Sequence, residues 1–413
     1  MKKLVLVILS LIFTCSFSFA QTGWFTQSNT ATKYLISVDM FDANTGWIVG
    51  FDGKMLKTTN GGTNWVLLTY PTTSSLLSVH FTDANTGWIT GYSTLIKTTN
   101  GGANWFTQES GTSNVLETIS FVNANTGWMA GFTGTIIKTT NGGTNWFIQP
   151  SGTTKELWKI QFVSADTGWA VGTTGTIIKT TNGGVNWIAQ VSGVISEIVS
   201  CYFINNSTGW VAGYYGKIFK TTNGGTNWVT QVSGITLDFN DVYMVDANTG
   251  WLVGPSGIIF KTTNGGTNWI NQPSGSASIL CAVSFVNAST GWVVGGTGTA
   301  GTILKTTSGG AIVNIENNGT EVPGEYSLSQ NYPNPFNPVT KINFDIAKSG
   351  KSGFVSIIIY DALGREIETL VNEVQSAGSY SVDFNASNLS GGVYFYRMQS
   401  AGFTDVKKLV LLK

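Results

Sequence analysis

One recurring set of polar residues is the clearest candidate for chemistry in this sequence. It lies eight residues before each tryptophan of a repeated "TGW" motif: Asp39, His80, Ser120, Gln161, Tyr202, Tyr243 and Ser284. An Asp39–His80 pair has the composition of a general base, but no serine or cysteine nucleophile is marked out beside it. We therefore interpret the seven residues as hydrogen-bonded side chains around an internal channel, a channel ring, rather than as a catalytic group.

Carboxylates are a second possible source of chemistry, because a converging pair can act as general acid and base. They are scattered along the chain, and no spacing shows that two of them meet: Asp39, Asp52, Glu109, Glu117, Glu156, Asp166, Glu197, Asp238 and Asp241. The turn "DANTG" at residues 42–46 alternates oxygen ligands as a calcium loop does. Only three of its seven copies begin with Asp, so we expect an Asx-type turn, and no metal or cofactor.

Two alternating motifs define a repeat of 40 or 41 residues. The "TGW" tryptophans are Trp47, Trp88, Trp128, Trp169, Trp210, Trp251 and Trp292. The second motif, "KTTNGGTNW" at residues 57–65, ends in Trp65 and its copies in Trp105, Trp146, Trp187, Trp228 and Trp269. Each unit shows four short strand patterns, such as 76–81, 87–91, 94–99 and 104–108, which is typical of a β-propeller blade.

The ends of the repeat predict how many blades there are. The seventh unit stops after "KTTSGG" at residues 305–310 and lacks its last strand, whereas Trp24 lies 41 residues before Trp65. We therefore predict an all-β protein with a seven-bladed β-propeller over residues 21–311, in which an N-terminal strand closes the last blade. Ring closure removes the open sheet edges that promote aggregation.

The second motif resembles the Asp-box, or BNR repeat, of sialidases and sortilin-type propellers, with Asn in place of the usual Asp. The "GW-hydrophobic-G" strand before it is also similar to the photosystem II assembly-factor family. We expect the box to be structural, since its oxygens can accept bonds from turn amides and its tryptophan can cover the blade edge. The residues concerned are Asn60, Asn100, Asn141, Asn182, Asn223, Asn264, Trp24 and the six box tryptophans named above.

These resemblances imply several activities. Sialidases bind the substrate carboxylate through three arginines, whereas this chain has only Arg365 and Arg397, both beyond the propeller, which excludes that activity. Other Asp-box propellers are glycosidases with two carboxylates, so a polysaccharide-acting glycosidase is one alternative. An assembly chaperone, implied by the photosystem family, is another.

The variable loops favour a binding function over catalysis. Turns on one face of the ring are near-identical, whereas loops after the second and fourth strands vary and carry Tyr92, Phe132, Trp158 and Tyr214. We predict that these four contact an extracellular glycan or protein, although loop aromatics also pack onto blade tops. The leading interpretation is a non-enzymatic binding or adhesion module that is monomeric.

Composition argues against one class of partner, and the first twenty residues predict export. The formal net charge is zero with 11% charged residues, so no nucleic-acid partner is expected. Residues 1–20 match a secretory signal peptide, with Lys2 and Lys3, an apolar run and small residues before Gln21.

Cys201 replaces a core Val or Ile, and Cys281 lies two blades away, so we expect no disulfide between them.

The C-terminal region forms a separate module. Residues 312–325 are predicted to be a linker, and 326–413 alternate strands with turns, as in a small Ig-like β-sandwich. "NYPNPFNP", "IYDALGREI", "SGGVYFYR" and the terminal "KKLVLLK" resemble the C-terminal sorting domain of type IX secretion cargo. That resemblance implies a Sec-dependent periplasmic intermediate, contact with the type IX machinery and release from, or attachment to, the outer surface. A fibronectin-like accessory module is the alternative.

Overall fold

The computed structural model describes residues 19–317, 322–347, 353–387 and 389–412. It divides into two units, which separate between Ala311 and Ile312. The first unit begins at Thr22 and contains the repeats; the second contains the C-terminal module. The predicted signal peptide lies outside the described residues, except for its last two positions.

Six four-stranded antiparallel sheets and a seventh, composite one form the blades, and each blade follows the chain from its inner to its outer strand. The strands of blades 1 to 4 are β2 Leu35–Met40, β3 Gly46–Gly50, β4 Met55–Thr58, β5 Val66–Leu68, β6 Leu76–Phe81, β7 Gly87–Gly91, β8 Thr94–Thr98, β9 Phe106–Thr107, β10 Leu116–Phe121, β11 Gly127–Gly131, β12 Ile136–Thr139, β13 Phe147–Gln149, β14 Leu157–Phe162, β15 Gly168–Gly172, β16 Ile177–Thr180 and β17 Ile188–Ala189.

Blades 5 to 7 repeat this order. Their strands are β18 Ile198–Phe203, β19 Gly209–Gly213, β20 Ile218–Thr221, β21 Val229–Gln231, β22 Asp241–Met244, β23 Gly250–Val253, β24 Ile259–Thr262, β25 Ile270–Gln272, β26 Ile279–Phe285, β27 Gly291–Thr297 and β28 Ala300–Asn317, with β1 Phe19–Thr26. Short 3-10 turns follow the second strand in five blades: Phe51–Gly53, Phe132–Gly134, Thr173–Gly175, Tyr214–Gly216 and Pro255–Gly257.

The N-terminal strand completes blade 7, as the interrupted repeat predicted. β1 pairs with β28, and the Gln27 amide donates to the Ile303 carbonyl at 2.8 Å. Trp24 is 2% exposed and meets Phe285 edge-on, with ring centroids 5.8 Å apart. The box tryptophan Trp105 meets Phe81 in the same way within blade 2, at 6.0 Å. Trp24 is therefore the geometric equivalent of a box tryptophan, supplied from the other end of the chain.

Adjacent blades are joined through the "TGW" tryptophan. In blade 1, the Trp47 ring stacks on Phe81 of the next blade, with centroids 3.4 Å apart, and Lys57 Nζ lies over the Trp47 ring, 5.2 Å from its centroid. The Trp47 indole and the Lys57 ammonium both donate to the Gly101 carbonyl, at 3.1 and 2.8 Å. Partial burial lowers the pKa of Lys57.

This junction is repeated around the ring with small variations. Tryptophan stacks on phenylalanine at four more junctions: Trp88–Phe121, Trp128–Phe162, Trp169–Phe203 and Trp251–Phe285. A lysine lies over the tryptophan in all seven blades. Each aromatic pair contributes about 0.5–1.5 kcal/mol beyond the area that it buries.

The box itself forms a tight hairpin turn. Thr58 Oγ1 donates to Asn60 Oδ1 at 3.0 Å and accepts the Gly62 amide at 2.8 Å, while Asn60 Oδ1 also accepts the Asn64 amide at 2.9 Å. Gly61 and Gly62 have φ of 66° and 85°, a region that glycine enters without strain. The same threonine–asparagine bond is present in the other five complete boxes. An amide oxygen thus suffices for the turn, and the negative charge of Asp is not required.

The second unit is a β-sandwich. One sheet contains β29 Ser327–Leu328, β30 Val339–Ile346, β33 Gly378–Asn385 and the end of β28; the other contains β31 Gly353–Tyr360, β32 Glu366–Gln375, β34 Gly392–Ser400 and β35 Phe403–Leu411. Phe344, Ile357 and Tyr396 are among the buried residues between the sheets. Ile315 to Asn317 pair with β33, so part of the segment interpreted as a linker is a strand. Pairing with an open sheet edge is a tertiary event that local composition does not reveal.

The closing strand gives a direct test of the ring. Trp24→Ala leaves a cavity against Phe285 and should lower the free energy of unfolding by about 3–5 kcal/mol. Thr26→Ala, an exposed position on the same strand, is the control and should change it by about 0.5 kcal/mol or less. All fifteen tryptophans lie in the repeats, so tryptophan fluorescence during denaturation reports the propeller alone. Equal effects of the two substitutions would contradict closure by Trp24.

Candidate functional site

The inner strands of all seven blades surround a central channel. Positions eight residues before each "TGW" tryptophan line a chamber of about 290 Å³, and all seven channel-ring residues contribute to it. Positions ten and eleven residues before the tryptophan line a second chamber, of about 350 Å³, toward the loops that vary in sequence. We call the second chamber the mouth cavity.

The channel ring connects neighbouring blades. Asp39 Oδ2 accepts the Phe81 amide of the next blade at 2.6 Å, and Gln161 Oε1 accepts the Phe203 amide at 2.6 Å. Ser120 and Ser284 accept the amides of Phe162 and Met40 at 3.0 and 3.3 Å. These amides lie on inner edge strands and have no partner strand, so the ring side chains satisfy them.

Asp39 and His80 do meet in this ring, but without the geometry of a catalytic pair. Their nearest atoms, Asp39 Oδ2 and His80 Nδ1, are 3.7 Å apart. Burial raises the pKa of Asp39, and His80 and the Phe81 amide oppose that rise. Ser120 and Ser284 are engaged with backbone amides of other blades. The arrangement is therefore that of a structural ring.

An ion pair crosses the channel between its two chambers. Lys159 Nζ of blade 4 lies 3.2 Å from Asp241 Oδ1 of blade 6, and both residues line both chambers. Ser200 Oγ and the Val283 amide also donate to the Asp241 carboxylate, at 2.6 and 3.1 Å. Burial lowers the pKa of Lys159, but the Asp241 charge, the Cys201 thiol and the hydrogen bond to Asp241 together outweigh burial, so the pKa is raised overall. Four blades are tied together by these contacts, so the Asp241 oxygens are fully engaged.

The mouth cavity combines aromatic and acidic side chains. The rings of Trp158 and Tyr214 lie side by side, with centroids 6.0 Å apart and planes tilted by 41°, and both line the cavity. Glu117 and Asn240 contribute polar groups to the same wall. Burial, with a smaller contribution from the nearby Glu156 carboxylate, raises the pKa of Glu117 to about 7. This is the part of the channel in which a ligand could contact both rings and charged groups.

The four predicted contact residues divide into two groups. Trp158 and Tyr214 come together at the mouth cavity, although they belong to blades 4 and 5. Tyr92 is exposed and Phe132 half-buried on blades 2 and 3, and neither lines the mouth cavity. A common origin in variable loops therefore does not place the four on one surface patch.

Sequence reasoning missed Glu117, Lys159, Asn240 and Asp241 as lining residues. The strand alternation that identified the channel ring extends two residues further back, to Lys159 and Asp241. Strand alternation alone does not place Glu117 in the channel. The register shifts between Leu116 and Thr118, and this bulge turns two successive positions toward the channel. No sequence signal marks that bulge.

The turns of the opposite face are closed by their own side chains. Asp42 Oδ1 accepts the amides of Asn44 and Thr45, both at 2.7 Å, in an Asx-type turn. Asn123 and Ser164 make the same two bonds in their blades, so no charge is needed there. Among the described residues, no cluster of three or more His, Cys, Asp or Glu could hold a metal ion.

Free thiols and membrane helices add no further site. Cys201 and Cys281 are both free, and Cys201 is buried in the core as its place in the repeat indicates. Burial raises the pKa of both thiols to about 12, so both stay protonated. Within the described ranges, no helix is long and apolar enough to cross a membrane.

The seven-bladed ring with boxed hairpins defines a propeller of the BNR-repeat class. Sequence comparison specifies it further: the family described as photosynthesis system II assembly factor YCF48 matches residues 18–105, 63–150, 148–238 and 193–276, which together span more than half of the chain. The chain belongs to this family.

Residues 330–412 match the secretion system C-terminal sorting domain, which implies secretion or export to the cell surface and interaction with the secretion machinery.

Solved structures confirm the fold. A structure of YCF48 bound to D1 peptide shares 20% identity, with a TM-score of 0.61 over 73% of this chain and 100% of its own. YCF48 from Cyanidioschyzon merolae shares 20% identity, with a TM-score of 0.58 over 68% and 98%. The structure of U3-55K has a TM-score of 0.57 at 9% identity, over 68% and 98%. A search of curated proteins found no match.

Glu117 makes the stability of the propeller depend on pH. Its folded pKa lies above the ordinary value of 4.5, so its ionisation destabilises the fold progressively from about pH 4.5 to about pH 7. Glu117→Gln should therefore raise the melting temperature at about pH 8 by a few degrees and leave it nearly unchanged at about pH 4.5. Glu109→Gln, an exposed carboxylate outside the mouth cavity, is the matched control. A shift of the same size at both pH values would contradict this assignment.

Proposed function

We propose that this protein is an exported, non-catalytic binding module that holds an extracellular glycan or protein at the mouth cavity. The observation that carries the proposal is the pairing of Trp158 with Tyr214 at the entrance of a preformed cavity of about 350 Å³. Paired aromatic rings with a few convergent polar groups are typical of ligand sites.

The rigidity of the ring supports this function. Junctions between blades are held by stacked rings and by ammonium–carbonyl bonds, which leave the position of the mouth fixed. A preformed site loses little conformational entropy when a ligand binds. A single propeller contains one complete mouth, so we propose that the protein acts as a monomer.

The channel chemistry favours binding over hydrolysis. Asp241 is engaged by Lys159, Ser200 and the Val283 amide, and Asp39 by the Phe81 amide, so neither is free to act on a substrate. Glu117 is the channel-lining carboxylate whose pKa, raised to about 7, suits a general acid near neutral pH, and this observation supports the glycosidase alternative. Release of sugar from a bound glycan, lost in Glu117→Gln, would favour that alternative.

The peptide complex of the family suggests a polypeptide as one kind of partner. YCF48 has been solved with a D1 peptide, and this chain shares its fold. Because the sorting tail exports this protein, we propose that any polypeptide held here is extracellular and that the protein is not a chaperone inside the cell. The predicted signal peptide at residues 1–20 would deliver the chain to the periplasm first.

Binding at the mouth can be tested with paired double variants. Trp158→Ala with Tyr214→Ala should reduce binding to a responsive glycan or peptide on an array by about tenfold or more, since both rings are lost. Tyr92→Ala with Phe132→Ala removes two loop aromatics outside the cavity and should leave binding unchanged. If only the second pair weakens binding, the mouth cavity is not the site.

Export can be tested by removing the second unit. A chain that ends at Ala311 keeps every blade, and in a bacterium with a type IX secretion system it should accumulate in the periplasm. The full chain, expressed in parallel, should reach the surface or the medium. Cell fractionation and surface proteolysis distinguish the two locations, and surface display of the truncated chain would refute the sorting role.

A further inference from the structure

Glu117 is an exception to the repeat that folding does not explain. The equivalent residue, eleven before each "TGW" tryptophan, is Ile36, Leu77 or Val199 in three other blades and Trp158, Asn240 or Cys281 in the remaining three, so Glu117 is the charged member of the set. These residues line the same mouth cavity, partly buried against one another. A half-buried carboxylate at such a position costs stability, as its raised pKa indicates. Positions that sacrifice stability in an otherwise regular repeat are expected to be functional.

Within the described part of the chain, the Glu117 carboxylate has no hydrogen-bond or ion-pair partner. Lys159 is the one cation among the residues that line the mouth cavity, and its ammonium is paired with Asp241 at 3.2 Å. The Glu156 carboxylate, on the loop before β14, further disfavours the ionised form of Glu117. The Cys281 thiol stays neutral because burial raises its pKa to about 12. The cavity therefore holds an uncompensated negative charge when Glu117 ionises.

The aromatic pair faces the same space. Trp158 and Tyr214 line the cavity together with Glu117. Burial raises the pKa of Tyr214, and the carboxylates of Asp238 and Glu197 add to that rise. Electron-rich ring faces beside carboxylates attract cations. The protein uses the same chemistry internally, since a lysine ammonium lies about 5 Å from each "TGW" indole, for example 5.0 Å at Lys179 over Trp169.

We propose that the mouth cavity accepts a basic side chain, the ammonium of lysine or the guanidinium of arginine, from an extracellular polypeptide. Trp158 and Tyr214 contact the cation and its aliphatic stem, and Glu117 pairs with its charge. This inference rests on the proposed function and specifies its ligand. It separates a basic polypeptide from a neutral glycan, which would use the rings but gain little from a carboxylate without a partner.

The first experiment compares peptides that differ in one side chain. Isothermal titration of the full chain at about pH 8 uses acetylated, amidated pentapeptides with a central Lys, Arg, Gln or Glu between glycines. The Lys and Arg peptides should bind at least about tenfold more tightly than the Gln peptide, and the Glu peptide should not bind measurably. Glu117→Gln should abolish the preference, while Glu109→Gln, an exposed carboxylate elsewhere, should retain it.

The second experiment uses a substitution that should favour folding. Glu117→Leu restores the aliphatic residue found at this position in other blades, so we expect a higher melting temperature together with loss of Lys and Arg peptide binding. Loss of binding in a more stable protein cannot be ascribed to unfolding. Retained binding in Glu117→Leu would overturn the role of the carboxylate.

The third experiment follows pH. A bound cation favours ionised Glu117, so binding must release a proton below about pH 7, and affinity should rise about tenfold from about pH 6 to about pH 8. Lysine and arginine probes stay charged throughout this range. His80, the only histidine, lies in the other chamber beside Asp39. The Glu117→Gln variant tests whether His80 contributes to the pH dependence. Its residual affinity should not depend on pH if Glu117 is the cause.

The outcomes separate this inference from the proposed function. If a neutral glycan binds and depends on Trp158 and Tyr214, while all four peptides fail, the mouth is a binding site but the basic ligand is wrong. If the Gln peptide binds as tightly as the Lys peptide, the charge preference is refuted. If no variant of these two aromatic residues changes any binding, both the inference and the proposed function fail.

Discussion

The stack between the "TGW" tryptophan of one blade and the inner strand of the next is the interaction on which the rest of the structure depends. At five of the seven junctions the indole stacks on a phenylalanine ring of the next blade, and in every blade a lysine lies over the indole. Trp169, with Phe203 and Lys179, is one example, in which the lysine also binds the following box turn. The ammonium and indole together satisfy a glycine carbonyl of the next blade. Stacking, a cation–π contact and hydrogen bonding therefore act together at one junction between two blades, and similar junctions recur around the ring.

Each junction uses one residue of the next inner strand, such as Phe81 or Phe203, and the channel-facing positions of that strand differ from blade to blade. Most inner positions are still used structurally: channel-ring oxygens accept the unpaired amides of the next inner strand, and the Lys159–Asp241 pair ties blades across the channel. Glu117 makes no such contact among the described residues, and the Trp158–Tyr214 pair lines the mouth cavity rather than the channel ring. We propose that this separation lets a highly repetitive scaffold present one asymmetric site.

The two units of the protein have separate tasks: the propeller is the scaffold, and the C-terminal unit directs export. The propeller closes through its own N-terminal strand, so it does not require the C-terminal unit for an intact ring. The sandwich has a separate core, and the tyrosine hydroxyl of Tyr396 links it to the Asn331 amide at the start of the "NYPNPFNP" segment. A sorting domain that folds around its own core can be attached to unrelated cargo, which suits its role in export.

By itself, the sequence determined the fold class, the blade number and the closing strand, because identical residues at a fixed period report local hairpins and the broken seventh copy required Trp24. It also predicted which residues form the channel ring, since strand alternation is a local property. Only the tertiary structure decided which of the four loop aromatics meet. Trp158 and Tyr214 lie on different blades, and their approach depends on the packing angle between those blades. It also decided that Glu117 faces the mouth, because a bulge shifts the register by one residue, and that Lys159 and Asp241 pair across two blades. Such contacts join residues distant in the chain, and no local pattern encodes the distance between them.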